Sequence, residues 1–317
     1  MYALVDSGTT TTRVRGWRDG AVVWSGQRTA GARNTAIDGD NRAIRFALFE
    51  LLAALGASQG PPSAVICSGM ITSNMGLHEV PHLHAPASPD DIAQAIVRVS
   101  LDGHAVHFIP GVKTTPGGSG FAGLAEGDVL RGEEAELVGL REGLGLEGPA
   151  TFLHIGSHHK AISVAADGSI LRSLTAPTGE LLDAVLSGTI LKSSTVPLDD
   201  LSLDMEVALA GADAALSEGF GRALFLVRVG EQLAGLSKGA MTSYLVGVLA
   251  SLDLDLVRAS GVDGPLIVYG MGVFSGVLES LCKAEGYNVS VVDNEVADLA
   301  AAAGAVWLYE RSVELGV

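Results

Sequence analysis

The chain has 317 residues, an apolar fraction of 48% and a formal net charge of −16. That length suits two domains of ordinary size with substantial buried cores. The charge, with no basic stretch to offset it, excludes a nucleic-acid backbone as the main partner.

No apolar run reaches membrane-spanning length, and the N-terminus reads directly into a strand without a signal-peptide pattern. Cys67 and Cys282 have no metal-ligand spacing and suit a reducing cytoplasm.

Residues 2–6 read as an apolar strand that runs into Gly8-Thr9-Thr10. A second strand follows through Arg13 and Trp17, turns at Asp19-Gly20 and returns over 21–24, the pattern of a hairpin. Glycine in the first turn lets the backbone approach a ligand closely. Successive N–H groups there form an anion-binding concavity, and Thr hydroxyls add donors. Asp6 ends the strand. A carboxylate there is badly placed for phosphate and well placed for Mg²⁺ or its waters, although a strand-end Asp also caps its own turn.

Residues 43–55 have helical apolar spacing at Ile44, Leu48, Leu51, Leu52 and Leu55. Gly60-Pro61-Pro62 leads into a short buried strand over 64–67. Ser88-Pro89-Asp90-Asp91 combines a cap, a proline at the first helical position and an acid three residues after the cap. Residues 106–109 read as a strand closed by Pro110-Gly111. The segment 114–127, rich in Gly, Thr and Ser, reads as a mobile loop. A helix over 133–142 opens with Arg131-Gly132-Glu133-Glu134. The stretch 143–149 marks a boundary that divides 1–145 from 146–317. Alternating strands and helices mean α/β layers.

Residues 151–157 then repeat the opening strand and turn, with a second strand over 161–164, Asp167-Gly168 and a third run over 169–171. Gly8 precedes Gly20 by 12 residues, as Gly156 precedes Gly168. Such a repeat suggests two similar domains facing one cleft. The rest is largely helical: 180–186 capped by Thr178, then 204–216, 220–233 and 237–256. A buried strand over 266–269 ends in Gly270-Met271-Gly272. A helix, a short strand over 289–292 and an Ala-rich helix from Ala297 close the chain.

Six segments stand in a specific order. They are Asp6-x-Gly8-Thr9-Thr10 with Arg13, Gly69-Met70-Ile71-Thr72-Ser73-Asn74-x-Gly76, and Ile109-Pro110-Gly111. Leu130-Arg131-Gly132-Glu133-Glu134-x-Glu136-Leu137, Thr178-Gly179-Glu180-Leu181 and Phe225-x-Val227-Arg228 follow. The order resembles the actin-like, sugar-kinase and Hsp70 ATPase superfold. In detail it is similar to the 2-dehydro-3-deoxygalactonokinase family, with Arg-Gly-Glu-Glu the most diagnostic piece. The resemblance implies an α/β fold of two actin-like (ribonuclease H-like) domains facing a nucleotide cleft. The first would carry the sugar site and one phosphate turn, the second the other phosphate turn and the adenosine site. It implies a cytoplasmic kinase that uses ATP and Mg²⁺ to phosphorylate the terminal hydroxyl of a 2-keto-3-deoxy sugar acid. A homodimer is compatible with the acidic surface.

The resemblance also assigns roles. Glu133 is similar to the catalytic acid of related sugar kinases, with Glu134 the second candidate; both also complement the dipole of the helix they open. Asp6 would hold Mg²⁺ through water. Gly8, Thr9 and Thr10 would bind phosphate from one side, Gly156 and Ser157 from the other. Gly270 and Gly272 would contact adenosine. Ser73 and Asn74 can donate to the substrate, and Arg131 can grip its carboxylate or pair with an acid such as Asp128. His158 and His159 face opposite ways if their strand is regular, and Lys160 reaches phosphate or solvent. Ser7, Leu77 and Ala161 stand where the family would lead one to expect Trp, as a change of the cleft lining. Gly247 to Ser251 departs from the family in the region that would support adenine. Two other readings of the same residues are a sensor that binds without turnover and a phosphoanhydride hydrolase.

Overall fold

The computed structural model describes residues 1–117, 120–270 and 272–317. Gly118 and Ser119 of the Gly-rich segment, and Met271 between Gly270 and Gly272, lie outside the described residues. The chain opens with β1 (Tyr2–Ser7), β2 (Thr12–Arg18) and β3 (Ala21–Arg28). Next come α1 (Ala32–Asp38), α2 (Arg42–Gln59), β4 (Ala64–Gly69), β5 (Leu83–His84), α3 (Pro89–Gln94), β6 (Val97–Leu101) and β7 (His104–Phe108). They are followed by β8 (Val112–Thr114), α4 (Phe121–Leu124), β9 (Asp128–Leu130) and α5 (Glu133–Leu144). A second meander is β10 (Ala150–Ile155), β11 (His159–Val164) and β12 (Ile170–Ala176). The remainder is α6 (Thr178–Gly188), α7 (Met205–Glu218), α8 (Phe220–Ala234), α9 (Lys238–Ser260), β13 (Leu266–Gly270), α10 (Ser275–Ala284), β14 (Val289–Val291) and α11 (Asn294–Glu314).

Two compact units result. One comprises Met1–Gly148, Ala165–Arg172 and Glu295–Val317; the other comprises Pro149–Val164 and Ser173–Asn294. In the first, the main sheet runs β3-β2-β1-β4-β7-β6. In the second it runs β12-β11-β10-β13-β14. Each sheet is an antiparallel meander whose first strand takes a parallel partner on its other side, β4 beside β1 and β13 beside β10. The hairpin at Asp19-Gly20 has φ of 51° and 80°, the two positive values a type I′ turn requires.

The helix over 43–55 is α2, and its buried stripe contains Ile44, Leu48, Leu51, Leu52 and Leu55. These pack with Val5, Val14, Val65 and Phe108 into the first unit's core. Ser88 and Asp91 form the expected capping box of α3. Within 114–127, short elements stand on either side of the undescribed Gly118 and Ser119. Thr114 ends β8, residues 121–124 form α4, and β5, β8 and β9 make a small separate sheet.

Thr178 does not cap α6. Pro177 holds the cap position, and the Thr178 hydroxyl donates to Asp253. Among the described residues one helix, α9, is long and apolar enough to cross a membrane, though 72% of its apolar window is buried within the fold. Its neighbours are Leu153, Val227, Val268 and Val277 of the second unit's core, so it serves as a core helix.

The last helix belongs to the first unit, whereas the boundary read from the sequence assigns it to the second domain. The physical reason lies at its crossing with α5. A methyl group on Gly139 would sit 1.8 Å from the Ala300 carbonyl oxygen, and one on Gly304 would sit 1.9 Å from that of Ala135. The two backbones touch where neither residue has a side chain. Gly139→Ala should therefore lower unfolding free energy by about 1–3 kcal/mol, read as a lower melting temperature. An unchanged melting temperature would contradict this crossing.

Candidate active site

Three chain segments converge in the first unit: the end of β1, the end of β4 and the start of α5. Gly69 ends β4 with φ of 80°, and a methyl group there would lie 2.7 Å from the Ser7 carbonyl oxygen and 3.1 Å from Asp6 Oδ1. Gly132 has φ of 120°, and its methyl would lie 3.3 Å from Gly69 Cα. Both conformations favour glycine, and both bring backbone against backbone. Asp6 is exposed beside this junction, in register with Arg13 and Ser68. Arg13 and Arg15 pair with Asp298 on α11, Arg13 at 3.1 Å. Among the described residues no group of three or more His, Cys, Asp or Glu could hold a metal. A metal at Asp6 would therefore take its remaining ligands from water and phosphate, as Mg²⁺ characteristically does.

The two glutamates of α5 do different things. Glu134 is 1% exposed. One of its carboxylate oxygens accepts the Val112 N–H at 2.8 Å and the other accepts the Gly132 N–H at 2.7 Å. Burial, and then the charge of Glu133, push its carboxyl up to about 7. Glu134 thus holds the Gly132 turn against β8. Glu133 is 7% exposed, accepts the Arg131 N–H at 3.0 Å and lies within electrostatic reach of Asp6.

The residues expected to meet the substrate also separate. Arg131 donates to the carbonyl oxygens of Thr72 at 2.6 Å and Val80 at 2.9 Å, and meets the His82 ring at 3.1 Å. Its guanidinium braces the 72–82 loop instead of standing open as a fork. The same guanidinium, after burial, helps push His82 down to about 4. The Ser73 hydroxyl donates to the Met70 carbonyl at 2.7 Å and accepts the Met75 N–H at 3.1 Å. Asn74 is exposed.

The two Gly-containing turns are built alike. In the first, Gly8, Thr9 and Thr10 are exposed, and the Gly8 N–H donates to Thr11. Ala32 donates to the Gly8 carbonyl at 3.1 Å and Arg33 to that of Thr9 at 2.8 Å. A methyl on Gly31 would lie 2.6 Å from the Thr9 carbonyl oxygen. In the second unit, Glu180 donates to the Ser157 carbonyl at 3.0 Å. There a methyl on Gly179 would lie 2.2 Å from the Gly156 carbonyl oxygen. Gly31 and Gly179 are 148 positions apart, as are Gly8 and Gly156. The repeat therefore extends to a third glycine, a signal present in the sequence but missed there. Gly270 ends β13 with φ of 104° and would place a methyl 2.2 Å from the Ile155 carbonyl oxygen. It plays against β10 the part Gly69 plays against β1. A methyl on Gly272 would lie 3.1 Å from the Ile155 side chain.

A family model described as 2-keto-3-deoxy-galactonokinase matches residues 6–307. The chain belongs to that family. Its members are sugar-acid kinases that use ATP. A Rhizobium meliloti (strain 1021) protein assigned as a 2-dehydro-3-deoxygalactonokinase is 29% identical over 96% of this chain and 97% of its own length. The 2-dehydro-3-deoxygalactonokinase of Escherichia coli (strain K12) is 25% identical over 81% of this chain and 80% of its own. A crystal structure from Sinorhizobium meliloti, described as a protein of the same activity, superposes with a TM-score of 0.79 at 24% identity. It covers 97% of this chain and 98% of its own. The activator of 2-hydroxyisocaproyl-CoA dehydratase from Clostridium difficile, with bound ADPNP, shares the fold at a TM-score of 0.54 and 13% identity, over 98% of this chain and 95% of its own. The fold is the actin-like ATPase fold.

Within this galactonokinase-family chain, the positions where Trp is expected do not line an open surface. Ser7 is buried and bonds the Thr12 hydroxyl at 2.9 Å. Ala161 is buried in the second core, and Leu77 packs against the first. Gly247 to Ser251 lies on α9, where a methyl on Gly247 would meet the Ala208 carbonyl oxygen at 1.6 Å. The adjacent histidines do diverge: His159 is buried, while His158 Nε2 lies 3.4 Å from Glu180.

Glu134 supplies a pH test. Its folded pKa lies above the ordinary 4.5, so the folded state holds the proton more tightly, and stability is lost as pH rises from about 4.5 to about 7. Glu134→Gln cannot titrate, and its amide would face one of two N–H donors. It should be less stable than wild type at pH 4.5 by about 1–3 kcal/mol, and the gap should narrow toward pH 7. Denaturant titrations at several pH values measure this; a constant gap would count against it.

Proposed function

We propose that the chain transfers the γ-phosphoryl group of ATP to the terminal hydroxyl of a 2-keto-3-deoxy sugar acid, 2-dehydro-3-deoxygalactonate in the first instance. The observation that carries the reading is the convergence of Asp6, Gly69, Gly132 and Glu133 beside an exposed Gly-Thr-Thr turn. The Glu133 carboxylate takes the proton as the substrate hydroxyl oxygen bonds to phosphorus. The bond from phosphorus to the bridging oxygen breaks, and that oxygen leaves with ADP. In a loose transition state the base is needed late, so an ionised glutamate at a helix start suffices.

Asp6 would hold Mg²⁺, whose charge offsets the negative charge that develops on the phosphates. Thr9, Thr10 and Ser157 would donate to phosphate oxygens, as exposed hydroxyl residues of Gly-containing turns. Gly270 and Gly272 would leave room for adenosine. A relative of the same fold with bound ADPNP supports an adenine nucleotide on this scaffold. Asn74 would meet the sugar acid directly, with Ser73 and Arg131 shaping the loop that presents it. The reading places the enzyme in the cytoplasm, where ATP is supplied.

The test is ADP release with Mg·ATP and 2-dehydro-3-deoxygalactonate, run beside the gluconate epimer. Turnover is expected to require the sugar acid. Glu133→Ala should lower kcat by about 10²-fold or more while nucleotide affinity is retained. Full turnover in that variant would remove Glu133 as the base. ADP release with water alone would replace the kinase with a hydrolase.

A further inference from the structure

One buried carboxyl group lies under the second phosphate turn. Asp253 sits within α9 and is 0% exposed, as are His159 and Thr178. Its Oδ2 lies 2.7 Å from His159 Nδ1, and its Oδ1 accepts the Thr178 hydroxyl at 2.7 Å. The burial of a carboxyl group among Leu249, Leu254 and Val257 is unfavourable unless both oxygens are bonded. Here both are.

The two partners are the flanks of one turn. His159 opens β11 directly after Gly156-Ser157-His158. Thr178 opens α6, next to Gly179 and Glu180, which lie against the Gly156 and Ser157 carbonyl oxygens. The His159 ring also stands edge-on to Phe274, with centroids 4.9 Å apart, and Phe274 follows the Gly270–Gly272 segment. His159 Nε2 is buried without a hydrogen-bond partner, so Asp253 supplies the ring's polar anchor. In the first unit the Thr12 hydroxyl donates to the Ala30 carbonyl at 2.7 Å.

We propose that Asp253 is a positioning residue for nucleotide binding, which holds the Gly156-Ser157 turn in its anion-binding shape through His159 on one flank and Thr178 on the other. This rests on the kinase reading above for the identity of the nucleotide. Asp253 touches no phosphate. It acts through the backbone of the turn, so its loss appears first in ATP affinity and not in the sugar-acid KM.

The experiment compares wild type, Thr178→Val, Thr178→Ser and Asp253→Ala. ATP affinity is measured by titration calorimetry, and KM for each substrate by ADP release. Thr178→Val keeps the side-chain shape and removes only the hydroxyl, so it reports even where Asp253→Ala fails to fold. Thr178→Val should weaken ATP binding about tenfold, Asp253→Ala at least as much, and both should leave the sugar-acid KM within about twofold. Thr178→Ser, which keeps the hydroxyl, should restore wild-type affinity. Wild-type ATP affinity in folded Thr178→Val would overturn the proposal. So would a parallel rise in both KM values with a lower melting temperature, the mark of a merely structural residue. A wild type that binds ATP without turning over the sugar acid would defeat the kinase reading alone, and the affinity comparison would still decide the role of Asp253. A wild type that binds no ATP would overturn both.

Discussion

Backbone lying directly against backbone is the constraint on which the rest of the structure depends. At the carboxyl end of β1, Gly69 meets the Ser7 carbonyl and Gly132 meets Gly69. At the carboxyl end of β10, Gly270 meets the Ile155 carbonyl and Gly179 meets that of Gly156. A single methyl group at any of these places would need atoms to move, and backbone atoms have little freedom to do so. The result is a pair of strand ends whose turns, Gly8-Thr9-Thr10 and Gly156-Ser157, carry exposed hydroxyl residues. Tightly packed backbone neighbours flank both turns.

Carboxyl groups divide according to burial. Glu134 and Asp253 are nearly or wholly inaccessible, and each has both oxygens bonded. A buried acceptor without a partner is costly, so these residues fix the pieces that satisfy them. Asp6 is exposed, and Glu133, itself buried, accepts the Arg131 N–H. The pair at the start of α5 shows how adjacent identical residues acquire separate roles. Glu134 turns into the fold to hold β8, and Glu133, just before it, stays beside the strand ends. Arg131 follows the same logic: carbonyls of the 72–82 loop take its donors, and a bidentate group becomes a brace.

Much was legible in the sequence because its signals are local. The Asp-Gly hairpins, the apolar stripe of α2 and the Ser88 capping box each depend on residues within a few positions of one another. The matched spacing of Gly8 with Gly20 and Gly156 with Gly168 identified the two meanders, and the Arg131 to Glu134 segment pointed to the family. Gly31 and Gly179 carried the same offset and could have been found by following the repeat further.

Tertiary structure alone decided the rest, since it depends on contacts between distant residues. Spacing could not equate Gly69 with Gly270, because different lengths of chain separate them from their meanders. Composition could not move the last helix into the first unit; that follows from the bare crossing of Gly139 with Gly304. Nor could it show that Thr178 serves Asp253, 75 positions away, instead of capping its own helix. The sequence determined the strands, the turns and the class of chemistry, each written in short-range patterns. Which glutamate braces β8 and which lies beside Asp6, and that Arg131 braces a loop, were set by packing, because only the folded chain determines which partners each side chain meets.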